Sequence, residues 1–355
     1  MTKRPHMLGL TPEEIQESVR AAGVPIRIDQ ARRILTLRLV KKADGRRPAR
    51  PVRPELQAAV DAHFDATRLE VVERTEDPAD GFLKYLFRSP DGALHEAVRI
   101  PLLKPDCYSI CLSSQVGCDM GCTFCATGRL GLTRNLRAWE MVDAFARVRD
   151  ETPGIVTGAL FMGQGEPFRN YDQVIRTARM LCHPCGGQIK SEAITLSTVG
   201  LVPQIRRYAR EGHQFRLIVS LTSAVPDKRA ALMPGASRWS LEELADAIRE
   251  YARGIPGLAT VGWVLMSGVN DGADEAEALK ELLGDVRLRV NLIDVNDPRP
   301  DGFRQVTDEE RRAFVERLQI LRAPVVRRYS GGVGRHAACG MLASTRWERP
   351  ENLHE

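Results

Sequence analysis

Three thiols stand on one short stretch of this chain, Gly117-Cys118-Asp119-Met120-Gly121-Cys122-Thr123-Phe124-Cys125, in the pattern C-x3-C-x2-C. A four-iron cluster normally takes four thiolates. Three from one loop leave one iron open. An open iron can chelate a small molecule through an amine and a carboxylate, as S-adenosylmethionine offers, and pass an electron to its sulfonium. Glycines on both sides let the backbone curl round a bulky group. A structural zinc is the alternative for Cys118, Cys122 and Cys125, but it needs a fourth ligand from elsewhere, and zinc pairs usually repeat a short C-x-x-C-like spacing twice.

Other residues of the right type recur at the ends of apolar runs. Met162-Gly163-Gln164-Gly165-Glu166-Pro167 follows the run 155–161; its glycines, Gly165 among them, admit close approach of a ligand to the main chain, and Glu166 is able to accept from an ammonium. Ser197 closes Thr195-Leu196-Ser197-Thr198, and Ser220-Leu221-Thr222, Asn291 and Asn296 follow later runs. Small hydroxyls and amides at successive strand ends suit the ribose, carboxylate and adenine edge of a nucleoside. Each taken singly also suits a cap or turn. Cys182 and Cys185, in Cys-His-Pro-Cys, form a C-x2-C pair whose readings are a second metal, a redox switch or plain loop thiols.

Elements that would position these groups are visible as periodicity. Strand-like runs at Ile155 to Met162, Ala193 to Ser197, Phe215 to Leu221, Thr260 to Met266 and Leu288 to Ile293 alternate with amphipathic stretches at Asp172 to Leu181, Leu241 to Tyr251 and Ala273 to Leu283. Repeated strand-helix units imply α/β architecture with parallel strands, either a full or partial β/α barrel or a doubly wound sheet. In each of these, functional loops leave the C-terminal strand ends, where the residues above fall. Ahead of this lie short alternating segments from Leu69 to Ile100, with Ser89-Pro90-Asp91-Gly92 as a hairpin turn. Before those, Thr11-Pro12-Glu13-Glu14 reads as a helix start, with further helical spacing at Ile28 to Val40 and Leu56 to Phe64. The expected domains are therefore 1–75, a basic helical accessory and RNA-binding unit; 76–104, a hairpin extension; 105–345, the barrel; and 346–355, a tail.

Composition excludes several classes. With 43% apolar and 27% charged residues the 355-residue chain is neither disordered nor fibrous and has length for a large core. The N-terminal MTKRPHMLGLTPEEIQ has no apolar run behind its basic pair, and no stretch approaches a membrane span, so a cytoplasmic protein with no membrane partner is expected. Eight cysteines in such a chain point to metal ligands or catalytic thiols rather than a disulfide framework. Net charge is only +5, but between Arg27 and Arg53 ten Lys/Arg face two acids, including Arg32-Arg33, Lys41-Lys42 and Arg46-Arg47. That block is either a phosphate-holding surface or a solvated helix face.

The chain resembles the radical S-adenosylmethionine methyltransferases of the RlmN/Cfr type, which methylate carbon 2 or carbon 8 of an adenosine in RNA. The matching stretches are CLSSQVGCDMGCTFCATGRLGLTRNL (111–136), GQGEPFRNYDQV (163–174), ITLSTVGLVP (194–203), VSLTSAVPDKRAALMP (219–234), GVND (268–271), VNLIDVN (290–296) and AACGML (337–342). Phe124 before the last cluster cysteine is a position the superfamily shares. The resemblance implies a radical S-adenosylmethionine barrel, a 4Fe-4S cluster on Cys118, Cys122 and Cys125, and S-adenosylmethionine held by Gly165, Glu166, Ser197, Ser220, Leu221, Thr222 and Asn296. It further implies that Cys339 receives a methyl group, that Cys111 is its resolving partner and that Glu96 accepts a proton. Implied partners are RNA, ribosomal first and transfer RNA second, and an electron donor such as flavodoxin or ferredoxin, with the chain acting as a monomer. The sequence departs from the family pattern at Thr222, where His is usual, at Gly334-Arg335-His336, and at Met341, where Gln is usual.

The chemistry suits the parts. Carbon 2 or carbon 8 of adenine is an electron-poor carbon without a lone pair, so polar transfer of an electrophilic methyl fails and radical addition does not. A target base inside a duplex is hidden, so the adenosine should be unstacked. The competing expectations are a radical S-adenosylmethionine enzyme acting on a small metabolite or peptide, and a non-enzymatic, metal-stabilised RNA-binding protein.

Overall fold

The computed structural model describes residues 4–40, 50–297, 299, 302–328 and 331–343. The expected tail and the clusters Lys41-Lys42 and Arg46-Arg47 lie outside the described residues. Helix α1 (Pro12–Ala21) starts as its sequence dictates, in a capping box where the Thr11 hydroxyl accepts from Glu14 N–H and the Glu14 carboxylate accepts from Thr11 N–H. Such a cap contributes about 1 kcal/mol. Ile15 and Val19, one turn apart, are its buried face. Helix α2 (Ile28–Leu39) buries Ala31, Ile34, Leu35 and Leu39, and α3 (Pro54–His63) begins with proline at its first turn. These side chains join the same apolar core as the rest of the chain. Within the basic block, Arg32 pairs with Glu13, Arg33 with Asp29 and Arg38 with Asp61, so much of the α2 charge is locally balanced.

Strands β1 (Glu70–Glu76), β2 (Leu83–Arg88) and β3 (Leu94–Pro101) form an antiparallel meander that joins β4 (Cys107–Leu112). A two-stranded ribbon, β5 (Gln115–Cys118) with β6 (Gly131–Asn135), brackets the one-turn helix α4 (Ala126–Arg129). The chain continues through α5 (Ala138–Glu151), β7 (Ile155–Phe161), α6 (Tyr171–Cys182), β8 (Ile194–Thr198), α7 (Val202–Glu211), β9 (Arg216–Ser220), α8 (Pro226–Leu232), α9 (Leu241–Arg253), β10 (Ala259–Leu265), α10 (Ala273–Leu283), β11 (Leu288–Asp294), α11 (Asp308–Arg317) and β12 (Val325–Arg328).

Strand order decides between the two architectures that periodicity left open. The sheet runs β1-β2-β3-β4-β7-β8-β9-β10-β11-β12, and from β4 onward every pair is parallel and consecutive. A doubly wound sheet reverses its strand order midway; this one never does. Right-handed crossovers all in one direction put every helix on one face, and the helices accordingly follow one another round it. Arg207 of α7 pairs with Asp172 of α6, and Arg249 of α9 with Asp285 just beyond α10. The result is a β/α barrel that is partial: among the described residues β12 pairs with β11 alone, while the meander extends the β4 edge. Fully buried Phe161 and Trp263 on the parallel strands anchor the core. Among the described residues, no helix is long and apolar enough to cross a membrane.

Candidate active site

The C-terminal strand ends surround a solvent-connected cavity of about 160 Å³. Cys118, Cys122 and Cys125 line it together with Gly165, Glu166, Ser197, Ser220, Thr222, Asn296 and Cys339. Two residues expected at its wall are elsewhere. Leu221 is fully buried and meets the site only through its carbonyl, which accepts from Arg229. Glu96 lies in β3, 1% exposed, with its carboxylate 3.4 Å from the Lys84 ammonium. Cys182 and Cys185 sit at the end of α6 and in the loop after it, apart from the cavity.

The cysteine loop is shaped by backbone that only glycine permits. Gly117 has φ +77°, and a Cβ there would stand 1.9 Å from the Gly131 carbonyl oxygen. Gly128 is no freer, since a Cβ would stand 2.9 Å from both N and O of Cys122. Neighbouring segments then hold the loop: Thr123 N–H donates to Leu232 O at 3.0 Å, Gly235 N–H to Met120 O at 2.9 Å, and Arg129 and Arg299 both reach Thr123 O from Asp297. Asp119 pairs with Arg169 at 2.8 Å.

Burial is the dominant electrostatic fact about the three thiols. It pushes Cys118 up to about 12, Cys122 well above the usual thiol range, and Cys125 upward. Cys118 also feels the charge of Cys125, and Cys122 that of both Cys118 and Cys125. Left alone the trio stays protonated; a cationic metal group is what makes buried thiolates favourable. Among the described residues no three His, Cys, Asp or Glu side chains gather round a position for a single ion.

Sequence reasoning missed Arg229. It is 5% exposed in α8, and its guanidinium donates to the carbonyls of Val199, Ser220 and Leu221, tying two strand ends beneath the cavity. Burial lowers it to about 10, and the neighbouring Cys122 thiol pulls the other way. Glu166 is fully held too: its carboxylate accepts from Phe168 N–H and Val199 N–H, both at 2.8 Å, yet burial still raises it to about 7. The Thr222 hydroxyl, at a residue with φ +64°, lines the cavity buried and without a hydrogen-bond partner. An orphaned polar atom facing a cavity beside the Ser197–Ser220 hydroxyl pair, 3.1 Å apart, is a fit for a polar ligand.

Cys339 lines both this cavity and a second one of about 590 Å³, which Cys111, Met162, Thr195, Asn291 and Arg328 also line. Cys111 lies in β4, buried, and is pushed up to about 12 by burial first and by the charge of Cys339 second. All eight cysteines are free thiols. The Cys339 segment is fixed by its backbone: Asn296 Nδ2 donates to Cys339 O at 3.3 Å, Ala126 N–H to Gly340 O at 2.7 Å, and the Thr127 hydroxyl to Leu342 O.

The model of the Radical SAM superfamily matches residues 112–283. A probable RNA methyltransferase of Anaeromyxobacter sp. is 47% identical over 341 residues, covering 95% of this chain and 99% of its own. A dual-specificity RNA methyltransferase RlmN of Syntrophobacter fumaroxidans is 42% identical over 277 residues, 77% of this chain and 80% of its own. The crystal structure of a radical SAM methyltransferase from Sphaerobacter thermophilus superposes with a TM-score of 0.84 at 36% identity, covering 95% of this chain and 99% of that one.

Proposed function

This chain belongs to the radical S-adenosylmethionine RNA methyltransferases of the RlmN type, and from that premise we propose that it methylates carbon 2 or carbon 8 of an adenosine in RNA by way of a methyl group carried on Cys339. The observation that carries the reading is the position of Cys339, on a wall common to the cavity of the three cysteines and to the chamber holding Cys111.

On this reading Cys118, Cys122 and Cys125 hold a 4Fe-4S cluster, with Arg229 offsetting the thiolate charge at Cys122. Glu166 takes the ammonium of S-adenosylmethionine, and Gly165, Ser197, Ser220, Thr222, Asn296 and the Leu221 main chain receive the rest. When bound, the cluster and S-adenosylmethionine supply one-electron cleavage of a sulfonium and, through it, abstraction of hydrogen from a methyl group. The chain's own residues do the remainder. Cys339 accepts the methyl as a nucleophile and joins it to the base. Glu96 accepts the ring proton. Cys111 attacks the Cys339 sulfur, releasing the methylated RNA and leaving a disulfide that must be reduced before the next turnover. Flavodoxin or ferredoxin is the electron donor, ribosomal RNA the first substrate class and a cytosolic monomer the acting form; the helical N-terminal residues and the basic residues between Arg27 and Arg53 contribute RNA contacts.

Replacing Cys111 by Ala removes the resolving thiol and should therefore trap a covalent protein–RNA adduct through Cys339. Denaturing electrophoresis of the reconstituted variant with RNA and S-adenosylmethionine reads this directly; normal product release with no adduct would take Cys111 out of its role.

Glu166 gives the reading a pH signature. Its free carboxyl titrates near 7 because burial outweighs two N–H donors. A proton and a ligand ammonium compete for the same carboxylate, so S-adenosylmethionine affinity should fall as pH drops through about 7, approaching about tenfold per pH unit on the acid side. Calorimetric titration from about pH 8 to about pH 6 checks it, with Glu166→Gln expected to bind weakly and with no such slope. A flat wild-type profile would remove Glu166 from ammonium binding.

A further inference from the structure

Lys84 is an unusual residue for its place. It stands second in β2 with its side chain 7% exposed, and its ammonium lies 3.4 Å from Glu96 Oε1, itself 1% exposed. In the β2–β3 register Leu86 faces Glu96 and Lys84 faces Val98, so the pair spans the two strands diagonally. Val98 in turn faces Cys111 of β4, and alternation puts Lys84, Glu96, Val98 and Cys111 on one side of the sheet. That side is covered by the segment carrying Cys339, because Phe82, Val98, Cys111, Ala337 and Leu342 form one apolar cluster.

Stability alone does not explain the pair. A buried ion pair replaced by apolar side chains of similar volume is often neutral or stabilising, whereas removing one partner strands the other charge. The Glu96 main chain is also fixed separately, its carbonyl accepting from the Ser113 hydroxyl at 2.6 Å and its N–H donating to Gln164 Oε1 at 3.3 Å. What Lys84 adds is a positive charge beside the carboxylate.

We propose that Lys84 is a positioning residue that keeps Glu96 ionised and oriented, one register step from Cys111, so that the carboxylate can take the ring proton of the bound base. The inference rests on the reading of Glu96 as proton acceptor. In that step a ring C–H bond breaks, its electron pair stays with the base, and an O–H bond forms on Glu96. A buried carboxylate without a cation beside it is held protonated and has no room for that proton. Among the described residues, the titratable and charged groups on or against this side of the sheet are Lys84 from β2, Asp80 just before it, Cys111 from β4, Arg328 from β12 and Cys339 from the covering segment. Among the described residues, Lys84 sets its charge against the Glu96 carboxylate at ion-pair distance.

The test uses the reconstituted full chain with RNA, and reads both methylated product and protein–RNA adduct against pH. Lys84→Gln should accumulate adduct at neutral pH, lose about tenfold or more in product rate there, and regain rate as pH rises, its acid limb displaced upward by about one unit or more. Lys84→Arg keeps the charge and should return the profile toward that of the wild type, which a purely structural role would not require. A Lys84→Gln profile superimposable on the wild type overturns the proposal, as does a Lys84→Arg profile displaced as far as that of Lys84→Gln. Should Lys84→Gln fail to fold, judged by its cluster absorbance and melting, Lys84→Arg and Lys84→Met are compared on the same readouts. The Glu96→Gln variant separates the two levels: wild-type turnover there removes Glu96 as acceptor, whereas loss of turnover with an unmoved Lys84→Gln profile removes Lys84 alone.

Discussion

Cys339→Ala protein is expected to assemble its cluster, cleave S-adenosylmethionine reductively and yet transfer no methyl group to RNA, a loss of at least about a thousandfold. The substitution is clean because the segment is anchored by main-chain atoms. Asn296 Nδ2 donates to the carbonyl of residue 339, and Ala126 N–H to that of Gly340, so neither contact needs the sulfur. Only the nucleophile is removed. Iron content, the formation of 5'-deoxyadenosine and mass mapping of the RNA separate the outcomes, and methylated RNA at an undiminished rate would reject a methyl-cysteine route.

Cys122→Ala should abolish an earlier stage. Cys122 is the loop thiol beside Arg229, and burial pushes it well above the usual thiol range. Loss of a single sulfur from a buried loop held by Thr123, Gly235 and Arg299 costs only about 1 kcal/mol of packing, so the chain still folds. An incomplete thiolate set does not retain the cluster, and both the four-iron chromophore and S-adenosylmethionine cleavage should disappear together. A variant that kept either would show that Cys122 is not a ligand.

Much of the barrel was legible because its elements are periodic. Ala273 to Leu283 emerges with the bounds that amphipathic spacing gave, and Asp172 to Leu181 gains only Tyr171 and Cys182. Strand order was not legible from periodicity, since the same strand-helix alternation builds either closure; it depends on which strands pair, and that is a matter of tertiary contact. The loop cysteines were legible from type and spacing. Arg229 was hidden inside Pro-Asp-Lys-Arg, which reads as a solvated helix start, and its function depends on carbonyls at Val199 and Ser220 that no local pattern connects to it. Lys84 was hidden for a similar reason: in an alternating strand a lysine reads as the wet face, and only the covering segment near the other end of the chain makes that face dry.

That covering segment has a further consequence. Residues 337–342 grip the turn that follows Cys125 at two points, through Gly340 O and Leu342 O, so the Cys339 segment is seated on the same loop that carries Cys118, Cys122 and Cys125. On the function proposed above, anything that displaces the cysteine loop therefore displaces Cys339 with it, because the same two hydrogen bonds hold both in register.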